Sequence, residues 1–174
     1  MTSDTPPATG ADSVTARQDP SEAAPEPGSP GVGAGIGLER IDHVGIAVAD
    51  LDEAINFYVR VFGMRCVHVE TNEEQGVREA MLAVGPTPEG GCVQLLAPLT
   101  PESTIAKFLD RSGPGVQQVA YTVADIDAAC AALRERGLRL LYDEPRRGTA
   151  GSRVNFVHPK DAGGVLVELV QPAA

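Results

Sequence analysis

Five side chains in this 174-residue sequence could share one reaction: His43, Glu79, Gln94, Gln118 and Glu168. Four of them fall at matching places in an internal repeat. Aligning Val48-Ala49-Asp50 with Val123-Ala124-Asp125, an offset of 75, sets His43 against Gln118. Aligning Gln94-Leu95-Leu96-Ala97-Pro98 with Glu168-Leu169-Val170-Gln171-Pro172, an offset of 74, sets Gln94 against Glu168. One imidazole, two amide oxygens and one carboxylate at pseudo-equivalent positions form an octahedral donor set that leaves positions open for a substrate or water. Such a set suits a hard or borderline divalent ion (Co, Mn, Mg, Ni or Fe) better than Zn. Taken singly these residues are weak signals, since an inward histidine or glutamine is more often a hydrogen-bonded pocket residue. Glu168 is harder to dismiss, because a carboxylate between Val167 and Leu169 on a strand needs a partner.

Glu79 supplies different chemistry. It shares a strand face with Met81 and Ala83, and its repeat-mate is Val154, so the repeat does not require an acid there. A solvated residue paired with Arg78 is one reading. The other is a proton-transfer carboxylate facing Glu168 across a pocket. Two carboxylates on opposite sides of one carbon could take a proton from one face and return one to the other, with an oxyanion held between them. Arg146, Arg147 and Lys160 form the only local basic cluster near the expected pocket mouth and could meet an anionic cofactor tail; a solvated loop serves equally well. His68 reads as a surface residue and His158 as structural. The sequence has no Gly-rich phosphate loop, Ser–His–Asp set or HExxH.

Positioning these residues requires two βαβββ units. In a strand over 41–48, Val44, Ile46 and Val48 share one face while His43, Gly45 and Ala47 share the other. Asp50, with Glu53 three residues on, caps the following helix. Ala54, Ile55, Tyr58 and Phe62 recur along it at helical spacing, and Gly63 ends it. Strands are expected at about 64–70, 77–84 and 92–96, separated by the polar loop 71–76 and a turn through Pro86, Pro88, Gly90 and Gly91. A linking helix over 103–111 leads to the second unit: strand 116–123, helix 125–136 stopped by Gly137, then strands 138–142, 152–157 and 165–170. The units span about 40–98 and 115–172. The fold class is α+β, two modules forming a curved mixed sheet with the helices outside and the five side chains inside.

Residues 1–38, rich in Pro, Gly and Ala and acidic, have too little to bury and are expected to be disordered, leaving one ordered domain over 39–174. The net charge of −10 argues against nucleic acid as a partner. No apolar run approaches the roughly 20 residues that span a bilayer, and the N-terminus lacks the pattern of a secretory signal. Cys66, Cys92 and Cys130, odd in number and in no CxxC spacing, read as free thiols in a reducing cytoplasm.

The chain resembles the vicinal oxygen chelate (glyoxalase-like) superfamily and, within it, the methylmalonyl-CoA epimerases, over about residues 39–172. The matching segments are IDHVGIAVADLDEA, NEEQGVREAML, LAPLTPESTIAKFL and LLYDEPRRGTAGSRVNFVHPKDAGGVLVELVQ. The resemblance implies metal ligands at His43, Gln94 and Glu168 with a fourth at 118, acid/base glutamates at Glu79 and Glu168, an acyl-CoA substrate and a homodimer. The implied reaction interconverts (2R)- and (2S)-methylmalonyl-CoA. The sequence departs from the family pattern at one place: Gln117-Gln118 stands where the family usually carries a His-His pair whose second member is a ligand. Amide oxygen is a weaker donor than imidazole to Co or Zn.

That departure keeps alternatives open: a working epimerase with altered metal preference, a weakened one, or a paralogue acting on a related acyl-CoA or malonyl-type substrate as epimerase, decarboxylase or lyase. A non-catalytic small-molecule-binding protein on the same fold is the rival from another class. A dioxygenase would need two histidines and a carboxylate, and only His43 is available.

Overall fold

The computed structural model describes residues 35–87 and 90–173. The expected disorder of the N-terminal segment, up to residue 34, and the place of Pro88 in its turn lie outside the described residues. The first unit comprises β1 (Leu38–Ala47), α1 (Leu51–Phe62), β2 (Arg65–Asn72), β3 (Val77–Ala83) and β4 (Cys92–Pro98). The second comprises β5 (Gly115–Val123), α3 (Ile126–Glu135), β6 (Arg146–Arg147), β7 (Arg153–Val157) and β8 (Leu166–Gln171), with α2 (Thr104–Ser112) between the units. All eight strands join one sheet in the order β2-β3-β4-β1-β5-β8-β7-β6. The first strands of the two units are antiparallel neighbours at its centre, and each runs parallel to the last strand of its own unit.

Local chemistry sets the helix limits. The Asp50 side chain accepts from the Glu53 backbone N–H at 2.9 Å, and Gly63 ends α1 in the left-handed region, where its N–H donates to the Val59 carbonyl and the Met64 N–H donates to that of Tyr58. The repeat carries the same cap, Asp125 accepting from Ala128, and each cap contributes about 1 kcal/mol. Ile46, Val48, Ala54, Ile55 and Tyr58 pack with buried Leu51, Leu82 and Leu95 between α1 and the sheet. Val123, Ile126, Cys130 and Leu169 do the same under α3, where Ile36 also packs. Both helices therefore cover the convex face and leave the concave face for polar side chains. α2 covers the concave end of the first unit, with Ile105 against Ala47, Val77 and Leu96.

Several expectations shift. β1 begins at Leu38, three residues before the expected start, and β4 runs on to Pro98. β2 continues to Asn72, two residues into the expected loop. The expected strand over 138–142 does not form; Leu140 makes a single bridge to Val157. The cause is Asn155, buried on β7. Its side-chain oxygen accepts from the Tyr142 N–H at 3.3 Å and its amide donates to the Tyr142 carbonyl at 3.0 Å, so a side chain replaces the next rung of the ladder. At the other end the Asp161 carboxylate accepts the Arg139 N–H at 2.9 Å. The place beside β7 passes to the two-residue β6.

Candidate active site

The four central strands each deliver one polar side chain to the concave face: Gln94 from β4, His43 from β1, Gln118 from β5 and Glu168 from β8. β3, next to β4, adds Glu79. None of the five is more than 6% exposed. Burial of this kind requires each polar group to find a partner, and they find one another. His43 Nε2 lies 3.1 Å from Glu168 Oε2. The Gln118 amide donates to Glu168 Oε2 at 2.5 Å and to Gln94 Oε1 at 3.3 Å. Gln94 Nε2 donates to Glu79 Oε2 at 3.0 Å. The network thus links all five sequence candidates across both units.

Register explains the convergence. Gly45 is the direct cross-strand partner of both Gln94 and Gln118. A β-carbon on Gly45 would lie 2.5 Å from Gln118 Cγ, so the missing side chain is the space in which the glutamine lies.

Other residues complete the site without having been singled out in the sequence. Asp42 Oδ1 holds His43 Nδ1 at 2.9 Å, and Thr122 donates to the same carboxylate at 2.8 Å. A register shift between Ile41 and His43 breaks the alternation that would otherwise place adjacent side chains on opposite faces. Thr149, in a short 3-10 turn before β7, donates to Glu79 Oε1 at 2.7 Å and accepts from Gln94 Nε2 at 3.0 Å. No period or motif marks Thr149; only its neighbour Gly148, packed against Val154 and Ser152, hints at a tight turn.

The electrostatics follow from burial and these partners. Burial alone would lower the His43 pKa, but the hydrogen bonds and charges of Asp42 and Glu168 raise it to about 9. The Asp42 carboxyl, opposed by burial, is nevertheless held below its usual range by His43 and Thr122. Burial pushes Glu79 up to about 7; the Thr149 hydroxyl pulls the other way, while the charges of Glu70 and Glu168 add to the rise. A carboxyl that titrates near neutrality beside a cavity can serve as base in one direction and acid in the other.

A cavity of about 380 Å³ opens onto Glu79, Gln94, Gln118 and Glu168, with Ile105, Phe156 and Leu166 as apolar wall. A second, of about 200 Å³, reaches His43 and Glu168 from the other side. The three basic candidates are not brought together. Arg146 lies 4.0 Å over the Tyr142 ring and 3.6 Å from Glu74. Arg147 is exposed beside Glu70, Glu73 and Glu74, and Lys160 lies in the turn at the opposite end of β7. None of the three lines the larger cavity.

The donor spacing bears on metal binding. Among the described residues, no three His, Cys, Asp or Glu side chains gather closely enough to hold an ion by themselves, so a metal here depends on the glutamine amides. The His43 Nε2 to Glu168 Oε2 distance of 3.1 Å is close to the edge of an octahedron with bonds of about 2.1 Å. The Gln118 amide nitrogen lies where Glu168 Oε2, Gln94 Oε1 and His43 Nε2 converge, at 2.5, 3.3 and 3.5 Å. Turning that amide over would place its oxygen among the donors, since its two ends are nearly isosteric. The residues fit a hard or borderline cation.

Two modules sharing one sheet around an inward polar set define a recognised class. Residues 42–156 match the family model of the glyoxalase/bleomycin resistance protein/dioxygenase superfamily. A crystal structure of methylmalonyl-CoA epimerase from Mycobacterium tuberculosis is 56% identical, with a TM-score of 0.77 over 82% of this chain and 93% of its own. A methylmalonyl-CoA epimerase in complex with methylmalonyl-CoA and NH4+ is 52% identical, with a TM-score of 0.75 over 79% of this chain and 96% of its own. The ethylmalonyl-CoA/methylmalonyl-CoA epimerase of Cereibacter sphaeroides is 38% identical over 136 residues, 77% of this chain and 98% of its own. The chain belongs to this superfamily and, within it, to the methylmalonyl-CoA epimerase family.

Proposed function

We propose that this protein is an isomerase that interconverts (2R)- and (2S)-methylmalonyl-CoA, with Glu79 and Glu168 as its two proton-transfer groups. The observation that carries the assignment of the two groups is their placement: two buried carboxylates on one cavity, linked through Gln94 and Gln118 and reaching it from different units. One carboxylate takes the C2 proton and the C–H electron pair moves into the thioester as an enolate. The other carboxyl delivers a proton to the opposite face, and the configuration at C2 inverts. The Ile105, Phe156 and Leu166 wall keeps water from the carbanion.

Enzymes of this superfamily generally use a divalent metal. Here His43, Gln94, Glu168 and, with its amide turned, Gln118 are the residues we propose to hold one. Bound there, the ion would supply positive charge to the enolate oxygen. Asp42 orients His43 for that role through Nδ1, as carboxylates behind ligating histidines commonly do. For the CoA phosphates, the exposed Arg147 and Lys160 remain the candidates, since Arg146 is engaged by Glu74 and Tyr142.

No helix among the described residues is long and apolar enough to cross a membrane. A cytoplasmic homodimer is the assembly we propose, supported by three free cysteines and by Phe57, Val61 and Phe62 standing exposed on α1.

Metal analysis of the purified protein followed by deuterium wash-in at C2 of methylmalonyl-CoA tests the reading. Exchange with inversion is expected. Absence of exchange with every divalent ion tried, at protein far above enzyme concentrations, would exclude it. Parallel assays with ethylmalonyl-CoA separate the epimerase from a paralogue selective for a larger acyl group.

A further inference from the structure

Glu79 is 2% exposed, and with substrate filling the cavity it has no direct route to solvent. β2 provides one. Glu70 is the direct cross-strand partner of Glu79 in the β2–β3 ladder, so the two side chains share a face. The facing carboxyl groups each bear on the other's protonation. Glu70 Oε2 lies 2.6 Å from His68 Nε2, two residues along the same strand and on the same face. Exposure rises along the row, from buried Glu79 to side-chain values of 19% at Glu70 and 37% at His68. The turn before β7 covers the row: Thr149 donates to Glu79, and the Ala150 N–H donates to Glu70 Oε2 at 3.3 Å.

Every member of this row can bind and release a proton, each stands beside the next on one face of the sheet, and the last meets water. An ion pair serving only stability would not need its carboxylate aligned on a second, buried carboxyl. We propose that Glu70 and His68 form a proton relay between Glu79 and solvent, which exchanges the Glu79 proton while substrate is still bound. A proton taken from C2 onto Glu79 passes to the Glu70 carboxylate, and a proton moves from Glu70 to His68 Nε2. The imidazole then releases one from Nδ1 to water. Reversing the sequence reloads Glu79 when it acts as the acid, and no other reactant is consumed.

The inference rests on Glu79 being a proton-transfer group, and the experiment separates the two claims. Each epimer is supplied singly to the enzyme in D2O, and deuterium at C2 is measured in both recovered substrate and product. For the epimer whose C2 proton faces Glu79, the wild type should label substrate as well as product, because the relay replaces the abstracted proton before it can return. Glu70→Gln keeps the shape and the acceptor for Ala150 but cannot pass a proton. It should lower the substrate-to-product labelling ratio by at least about tenfold, with imidazole buffer restoring part of it. His68→Gln, at a more exposed position, should lower the ratio in the same direction. The opposite epimer, deprotonated by Glu168, should keep its ratio in both variants. Equal losses of both labels, or an unchanged ratio in both variants, would overturn the relay and leave the epimerase reading intact. Wild-type protein that labels neither species would remove both.

Discussion

At Glu79 burial opposes the charge that a base needs, and the outcome sets a pH profile. Burial, helped by the Glu70 and Glu168 charges and opposed by Thr149, puts the group at about 7, against 4.5 for an ordinary glutamate. Inversion in either direction needs one proton on the Glu79–Glu168 pair, so both epimers should slow in parallel as pH rises through about 7 and that proton is lost. Stability falls over the same range: a raised carboxyl stabilises the fold fully below 4.5, and that contribution is lost as pH rises through 7. Rate profiles for each epimer, measured with Glu79→Gln as reference, check the assignment; a flat profile for both epimers would remove Glu79 as the titrating group. The five principal side chains were legible in the sequence because strand alternation and the 75- and 74-residue offsets assign a face to each. Asp42, Glu70 and Thr149 were not. Asp42 reaches His43 only through a register shift, Glu70 matters only once β2 and β3 are in register, and Thr149 belongs to a turn with no periodicity.

At the scale of elements, the central strands are shaped around what one glycine omits. Gly45 faces Gln118 so closely that a β-carbon would meet its Cγ at 2.5 Å, its Cδ at 3.1 Å and Leu96 Cδ1 at 3.3 Å. The contacted atoms lie in the middle of the glutamine side chain and in a buried leucine, so neither yields easily. Gly45→Ala should cost about 1–3 kcal/mol of stability by overpacking and should cut the C2 exchange rate by displacing the Gln118 amide. Gly115→Ala, at the start of β5 with nothing within 4 Å of the added carbon, should leave exchange unchanged. Denaturant melts with wash-in rates on both variants decide the matter, and equal behaviour would mean that Gln118 is not held by this packing. Helix limits were readable because caps are local: Asp50, Gly63 and Asp125 act on backbone within a few residues. The absent strand over 138–142 was not, because its rung was taken by Asn155 from a strand 13 residues away in sequence.

Across the whole molecule the repeat governs structure while the site departs from it. Arg78 reaches Asp52 and Arg153 reaches Asp127 in matching two-point ion pairs, each clipping a strand to its own unit's helix at a 75-residue offset. Inside the concave face the correspondence ends: Glu79 is matched by Val154, His43 by Gln118, and Thr149 crosses from the second unit to bind Glu79 and Gln94 of the first. The polar network therefore bridges the halves, and the β1–β5 ladder joins them along the sheet centre. A ligand held by this network touches both units at once, so binding should stabilise them together. With a divalent ion and acyl-CoA at 100 times their dissociation constants, the gain should be about 2.7 kcal/mol for each independent site. It should appear as one unfolding transition moving upward, not as one half separating from the other. Glu168→Gln should weaken the shift, because Glu168 Oε2 receives both His43 of the first unit and Gln118 of the second. Calorimetry with and without ligands measures this directly. Two transitions, with only one responding to ligand, would show that the halves are stabilised separately and that the site does not couple them.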